Sequence, residues 1–211
     1  VWTRKADAMK KILLVLALLS SSVCAAQWVD PYVATVHDLD NATLEKMHAA
    51  NELPATVQLA QNMMDDGQTE RAYELMGIAA DAKIPRAEYL LGSWLWSCVG
   101  RGCGGRELAV DRVHALELLK RAVQAGHPVA HERLADIYNR DSEHAKKDSA
   151  KAYPLYLLAA QRGFPSAQLT VAVMLCAGDG VKKDRKAGRK WAALSQKKLW
   201  LAKSSYEEFG C

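Results

Sequence analysis

The chain has 211 residues, and half of them are hydrophobic, which is enough for one domain of ordinary size with an apolar core. Because it contains many alanines and only two phenylalanines, we expect that core to be thin and helical. The formal net charge is +4, but the first 26 residues contribute most of it and the rest of the chain is close to +1. This balance argues against nucleic acid or an anionic membrane as the partner.

The N-terminal segment at residues 9–26 reads MKKILLVLALLSSSVCAA. Two lysines, an apolar run of eight residues and small residues at the end predict a secretory signal peptide, too short to remain as a membrane span. We expect Met9 to be the start, residues 1–8 to be an upstream extension, and cleavage to follow Ala25 or Ala26. The sequence therefore predicts a bacterial protein that is periplasmic or secreted.

Lipidation of Cys24 would instead tether the protein to a membrane. Bacterial lipoproteins usually carry Leu three positions before this cysteine and Gly or Ala directly before it, whereas Ser21 and Val23 stand there. We therefore expect no lipid anchor and no stable membrane insertion after cleavage.

The four remaining cysteines are Cys98, Cys103, Cys176 and Cys211. An even number in an exported chain favours disulfides over free thiols, and four cysteines allow three pairings. Proximity in the sequence suggests that Cys98 pairs with Cys103 and Cys176 with Cys211.

After the signal, residues 27–53 are predicted to form an extended lead-in and one short helix. Asp40 or Asn41 can cap this helix, and Leu44 and Met47 are its apolar positions.

Three segments further on share one frame of alanines and a proline: RAYELMGIAADAKIPRA, HALELLKRAVQAGHPVA and KAYPLYLLAAQRGFPSA. Their last alanines, Ala87, Ala130 and Ala167, are separated by 43 and 37 residues. Repeats of this length indicate stacked supersecondary units. The sequence therefore predicts an all-α fold, an α-solenoid of helix-turn-helix units.

The first helix of each unit has a leading alanine, a large apolar residue four positions on, a small residue five on and a large one eight on. These positions hold Ala55, Leu59, Ala60 and Met63; Ala87, Leu91, Gly92 and Leu95; Ala130, Leu134, Ala135 and Tyr138; and Ala167, Val171, Ala172 and Leu175. The second helices repeat Ala72, Leu75, Met76 and Ala79 as Ala115, Leu118, Leu119 and Ala122, and as Ala152, Leu155, Tyr156 and Ala159. We predict that all of these residues pack in the core, because small residues let helices approach closely.

The units resemble Sel-like repeats, a family related to tetratricopeptide repeats. The resemblance rests on Gly178-Asp179-Gly180-Val181 with Asp184 and Lys186-Ala187, and on Lys151-Ala152 with Ala159-Ala160 and Gly163. It covers residues 54–197 in four units, of which the first has a tight turn at Gly67-Gln68 and the third a charged loop at 141–148. Residues 198–211 are expected to form a C-terminal cap, since terminal repeats need one.

Three motifs could carry chemistry, and none does so convincingly. The glycine-rich insertion around Cys98 and Cys103 lacks the Walker spacing and a preceding strand, so we interpret it as a disulfide-stapled turn. His127 and His131 have a spacing that suits zinc, but Pro128 begins a helix between them and no third ligand is evident. We expect neither a metal nor a cofactor.

Residues 195–198 contain Ser-x-x-Lys, and cysteine-rich members of the resembled family have been linked to β-lactam binding. Neither companion motif, SDN or KTG, is present. We therefore expect no enzyme, and keep as alternatives a cell-wall-related or β-lactam-binding enzyme and an inhibitor or immunity protein for a secreted toxin.

The resemblance implies a concave surface that binds a protein or peptide. If the first helices line it, its exposed positions fall two, six and nine residues after each leading alanine. These are Tyr89, Ser93 and Trp96 in the second unit and Glu132, Asp136 and Asn139 in the third, whereas the fourth offers the apolar Leu169, Val173 and Cys176. We predict a monomer whose groove suits a partner with an apolar anchor and a basic residue. The alternative is that Trp96 only packs under the cysteine loop.

Overall fold

The computed structural model describes residues 36, 38–97, 112–140 and 146–196. All regular structure within these residues is helical. In chain order the helices are α1 (Asn41–Ala49), α2 (Leu53–Asp65), α3 (Thr69–Asp81), α4 (Pro85–Ser97), α5 (Arg112–Gln124), α6 (Pro128–Asn139), α7 (Ser149–Gln161), α8 (Pro165–Ala177) and α9 (Arg185–Gln196). The all-α prediction is thus confirmed.

Several predictions concern residues outside this described part. They are the signal peptide at 1–26, the disulfide between Cys98 and Cys103, and the cap at 198–211. Cys176 is fully buried in α8 and is disulfide-bonded. Its partner lies outside the described residues, so the pairing with Cys211 stays a prediction.

The helices begin where side chains can satisfy their free N–H groups. Asp40 caps α1 as predicted, because its Oδ1 accepts a hydrogen bond of 2.7 Å from the Thr43 N–H. Asp184 caps α9 in the same way, accepting from the Ala187 N–H at 2.9 Å. In α2, α4, α6 and α8 a proline lies at the first or second position, where its missing N–H costs nothing.

The turns that lead into three of these helices share a left-handed residue two positions before the proline. Gly126 has a φ of +81° and Gly163 a φ of +89°, and glycine adopts this conformation without strain. At the same place before α4 stands Lys83, with a φ of +60°. The second unit therefore enters its first helix through a strained turn.

The helices pack in chain order, each against the next, in the pairs α2/α3, α4/α5, α6/α7 and α8/α9. In addition, α4 contacts α6, so that first helices of neighbouring units touch each other directly. All ten alanines of the repeat frame are fully buried: Ala55, Ala72, Ala79, Ala87, Ala115, Ala122, Ala130, Ala152, Ala159 and Ala167. The predicted packing register is therefore confirmed for the alanines, whereas three of the large residues, Leu95, Tyr138 and Leu155, are only partly buried where they pack against the core.

A close contact between two helices lies at Gly92 of α4. A Cβ atom added there would lie 3.0 Å from the carbonyl oxygen of Ala115 and 3.0 Å from Cγ of Leu119, both on α5. The corresponding positions of the other first helices hold alanine. Hence α4 and α5 approach each other more closely than a methyl group allows.

One row of buried residues is polar, which the apolar pattern does not reveal. The residue directly after each leading alanine is Thr56, Glu88, His131 or Gln168, and all four are more than nine-tenths buried. Glu88 forms an ion pair of 2.6 Å with Arg121 of α5, and Arg121 also donates to the carbonyl of Ala80 at 3.2 Å. Polar contacts as well as apolar ones therefore join successive units.

Candidate binding face between α4 and α6

The six predicted groove residues lie on two helices that touch, and we call them the α4–α6 face: Tyr89, Ser93, Trp96, Glu132, Asp136 and Asn139. Each of them is partly exposed. Because α4 contacts α6 directly, the two sets belong to one continuous surface. Partial exposure on such a surface is what a binding site requires, although it does not identify a ligand.

At one end of this face, the ring of Tyr89 stacks on the imidazole of His127. The two ring centroids are 4.7 Å apart and the planes differ by 19°. His127 is buried and caps α6, since its Nδ1 accepts a hydrogen bond of 3.3 Å from the Ala130 N–H. The phenol of Tyr89 is thus fixed against the start of α6.

In the middle of the face, Asp136 receives a hydrogen bond from a residue of α7. The hydroxyl of Tyr156 donates to Oδ1 of Asp136 at 2.5 Å. Burial raises the pKa of Tyr156, and the Asp136 carboxylate raises it further, so this phenol stays protonated and acts as a donor. One oxygen of Asp136 is therefore already engaged. Asn139 accepts a hydrogen bond of 3.3 Å from Ser149.

Glu132 lies between the two phenols. Burial is the main cause of the raised pKa of Tyr89, as it is for Tyr156, and the negative charge of Glu132 contributes to both shifts. Within the described part of the chain, Glu132 forms no ion pair. It is therefore the carboxylate of this face that remains available to a cation.

Ser93 and Trp96 complete the face on α4. The Ser93 hydroxyl lies close enough to Tyr89 to lower its pKa, but Ser93 Oγ is buried and makes no well-formed hydrogen bond among the described residues. The guanidinium of Arg112 lies 5.0 Å from the ring centroid of Trp96. A cation thus already covers one side of the predicted aromatic anchor.

Sequence reasoning missed three contributors to this face: His127, Arg112 and Tyr156. Tyr156 could have been found, because the matching positions of the other second helices hold Met76 and Leu119. A hydroxyl at a position that is otherwise apolar indicates a polar partner on the facing helix. No comparable pattern signals the contacts of His127 and Arg112, which depend on the path of the chain between helices.

The predicted repeats agree with a family model, the Sel1 repeat, which matches residues 85–127, 128–164 and 165–195. These three ranges make up more than half of the chain. The chain belongs to the Sel1 repeat family. Proteins of this family are typically protein–protein interaction modules. The pair α2/α3 precedes the first matched repeat and has the same alternation of buried alanine and large apolar residues.

Two solved structures show the same fold as this Sel1 repeat protein. One is c5321, a protective antigen present in uropathogenic Escherichia coli strains and displaying an SLR fold, with a TM-score of 0.69 and 22% identity over 78% of this chain. The other is a Sel1 repeat protein from Oxalobacter formigenes, with a TM-score of 0.66 and 23% identity over 80% of this chain. The chain spans 35% and 48% of their respective lengths. No curated protein matches the sequence.

The other candidate motifs of this Sel1 repeat protein are engaged in its framework. Ser195 is fully buried and donates a hydrogen bond of 2.8 Å to the carbonyl of Ala192, so its hydroxyl does not face an open site. His131 is buried, and its Nδ1 lies 2.8 Å from the carbonyl oxygen of His127. No group of three or more potential metal ligands occurs among the described residues, and none of the described helices is long and apolar enough to cross a membrane.

The apolar positions predicted for the fourth unit differ from one another in exposure. Leu169 and Val173 are partly exposed, whereas Cys176 is fully buried. The polar character of the surface therefore does not continue along α8.

Proposed function

We propose that this Sel1 repeat protein binds an extended protein or peptide segment on the α4–α6 face, outside the cytoplasm. The observation that carries this proposal is the partly exposed carboxylate of Glu132, which forms no ion pair within the described residues. A cationic side chain of a ligand can form a charge-assisted hydrogen bond with this carboxylate.

The partner's chemistry follows from the neighbours of this carboxylate. Glu132 favours a Lys or Arg side chain, and the partly exposed ring of Tyr89 can contact the aliphatic part of that side chain. Trp96 offers an apolar surface at the other end of α4, although Arg112 restricts access to one side of its ring. A segment with one cationic and one apolar residue suits this face.

The proposed location outside the cytoplasm rests on the signal-like segment at residues 9–26. Mass spectrometry of the protein from a periplasmic fraction should give a chain that begins at Ala26 or Gln27. A chain that retains Met9 and stays in the cytoplasm would contradict this part of the proposal.

Binding can be tested by photo-crosslinking the chain to partners in a periplasmic extract, followed by affinity measurements with the purified partner. Glu132→Gln removes the charge while keeping the shape, and we expect it to weaken binding by about tenfold, the effect of losing one charge-assisted hydrogen bond. Trp96→Ala should weaken binding as well.

The matched control is Glu117→Gln on α5, which removes an equal charge from an exposed position away from the face. It should leave the affinity unchanged. Equal affinities for Glu132→Gln, Trp96→Ala and the unmodified chain would show that the partner binds elsewhere.

A further inference from the structure

The near-neutral charge of the chain is the sum of two ends of opposite sign. Residues 38–84, which contain α1 to α3, carry nine carboxylates against three Lys or Arg, a net charge of −6. Residues 146–196, which contain α7 to α9, carry ten Lys or Arg against three Asp, a net charge of +7. Because each helix packs mainly against its neighbours in the chain, these two ends stay apart along the solenoid.

At the basic end, all three carboxylates are already used within the chain. Asp179 pairs with Lys147 at 2.8 Å, Asp148 pairs with Lys151 at 2.7 Å, and Asp184 caps α9. Five cations around the start of α9 are exposed and form no ion pair within the described residues: Lys182, Lys183, Arg185, Lys186 and Lys190. Several of them line a broad depression at the start of α9.

At the acidic end, the carboxylates are exposed on three successive helices and the loops between them. Those that form no ion pair within the described residues are Glu45, Glu52, Asp65 and Asp81. The acidic end thus has the charge to complement the basic end of another copy.

The helices themselves do not explain these charges. Asp65 and Asp81 stand at the C-termini of α2 and α3, and Arg185 and Lys186 in the first turn of α9. Acidic residues at a helix C-terminus and basic residues at a helix N-terminus both oppose the helix dipole. Charges that disfavour their own helices at both ends of the molecule are better explained by a role in association.

We propose that the occupant of each charged end is a second copy of this chain. Two copies placed antiparallel bring the acidic end of each against the basic end of the other. Such a pair satisfies both complementary contacts and closes as a dimer, the commonest symmetric assembly. This dimer differs from the monomer expected from the sequence. The charged contacts that we propose to hold it together do not involve the α4–α6 face.

Sedimentation velocity of the purified chain tests the proposal. We expect a dimer at about 0.05 M salt, and a dissociation constant at least about tenfold higher at about 0.5 M salt, where exposed charges are screened. A monomer at both salt concentrations, or species larger than a dimer, would overturn the antiparallel pair.

Charge reversal at each end provides the decisive comparison. Lys182→Glu, Lys183→Glu and Lys186→Glu together should give a monomer, and so should Glu45→Lys, Glu52→Lys and Asp65→Lys together. In an equimolar mixture of the two variants, one contact keeps the original charges and in the other the introduced glutamates face the introduced lysines, so both contacts are complementary again and we expect a mixed dimer. Recovery in the mixture also shows that both variants are folded, and its absence would contradict the proposal.

A matched control reverses two exposed charges in the middle of the chain, Glu117→Lys with Lys120→Glu, and should leave the dimer intact.

The competing occupant of the basic end is an anionic membrane surface. If the chain stays monomeric but cosediments with vesicles rich in anionic phospholipid, and loses this binding on reversal of Lys182, Lys183 and Lys186, the basic end binds lipid and the dimer proposal fails.

Discussion

Helices α4 and α8 occupy the same place in their units, yet they differ in almost every residue that does not set the packing register. After the leading alanine, α4 has a buried Glu88 and α8 a buried Gln168. At the small position α4 has Gly92 and α8 has Ala172. At the partly exposed positions α4 has aromatic and polar residues where α8 has the aliphatic Leu169 and Val173.

The difference shows that the repeat specifies two things separately. Small and large apolar residues at fixed spacing decide how helices stack, and they are present in both helices. The positions between them can vary, and in α4 they include one partner of a buried ion pair, a glycine in close contact with α5 and part of the α4–α6 face. The unit that keeps the repeat best is thus not the one with the most distinctive surface.

The largest effect is expected from the ion pair of the second unit, whose carboxylate is buried. Arg121→Ala leaves the carboxylate of Glu88 buried without its partner, and should lower the free energy of unfolding by about 3 kcal/mol. In the fourth unit, Gln168→Leu removes one hydrogen bond to Ala160 and a buried Oε1 that has no partner among the described residues, so its effect should stay within about 1 kcal/mol. Urea denaturation monitored by circular dichroism measures both. If Arg121→Ala and Gln168→Leu lowered the free energy of unfolding equally, the ion pair would not distinguish α4 from α8.

A smaller effect is expected from exchanging the small residues of the two helices. Gly92→Ala should destabilise the protein by about 1 to 2 kcal/mol despite the better helix propensity of alanine, because the new methyl group meets the backbone of α5. Ala172→Gly should also destabilise, by about 1 kcal/mol, through the lower propensity of glycine. If Gly92→Ala were stabilising, α4 and α5 would have room for a methyl group and the close contact would be wrong.

The smallest effect concerns the turns that precede the two helices. Lys83→Gly relieves a left-handed conformation before α4 and should raise the free energy of unfolding by about 0.5 kcal/mol, the strain being partly offset by the greater freedom of glycine in the unfolded chain. Gly163→Lys before α8 should lower it by about 1 kcal/mol. The shift of the urea denaturation midpoint at constant slope measures the change in stability of each variant. If both substitutions changed the stability in the same direction, the two turns would not be equivalent.

The stacking of the helices could be predicted from the sequence because it depends on spacing. The cap at Asp40, the prolines that begin the first helices and the ten buried alanines all follow from local rules that hold in each unit. The surface residues of α4 and α6 could be placed by the same register, since positions two, six and nine residues after the leading alanine lie on the opposite side of these helices. The rule does not hold in every unit, because Val57 of α2 and Cys176 of α8 occupy such positions and are buried.

Not all contacts of these residues could be predicted. The hydroxyl of Tyr156 indicates a polar partner on the facing helix, which is Asp136. The stacking of Tyr89 on His127 instead depends on how far neighbouring units rotate relative to each other, which spacing does not specify. The opposite charges of the two ends could have been read from the sequence, but a single net charge conceals them. Summing charges unit by unit would have revealed both ends.

The packing of each helix mainly on its neighbours in the chain also bears on how the protein folds. Contacts between residues close in sequence need little loop closure, so a chain of this kind has a low contact order and should fold fast. Because α1 can pack on α2, and α2 on α3, before the later units exist, structure can form progressively as the polypeptide emerges N-terminus first from a ribosome or a translocation channel. The last helices can then add to a surface that is already in place.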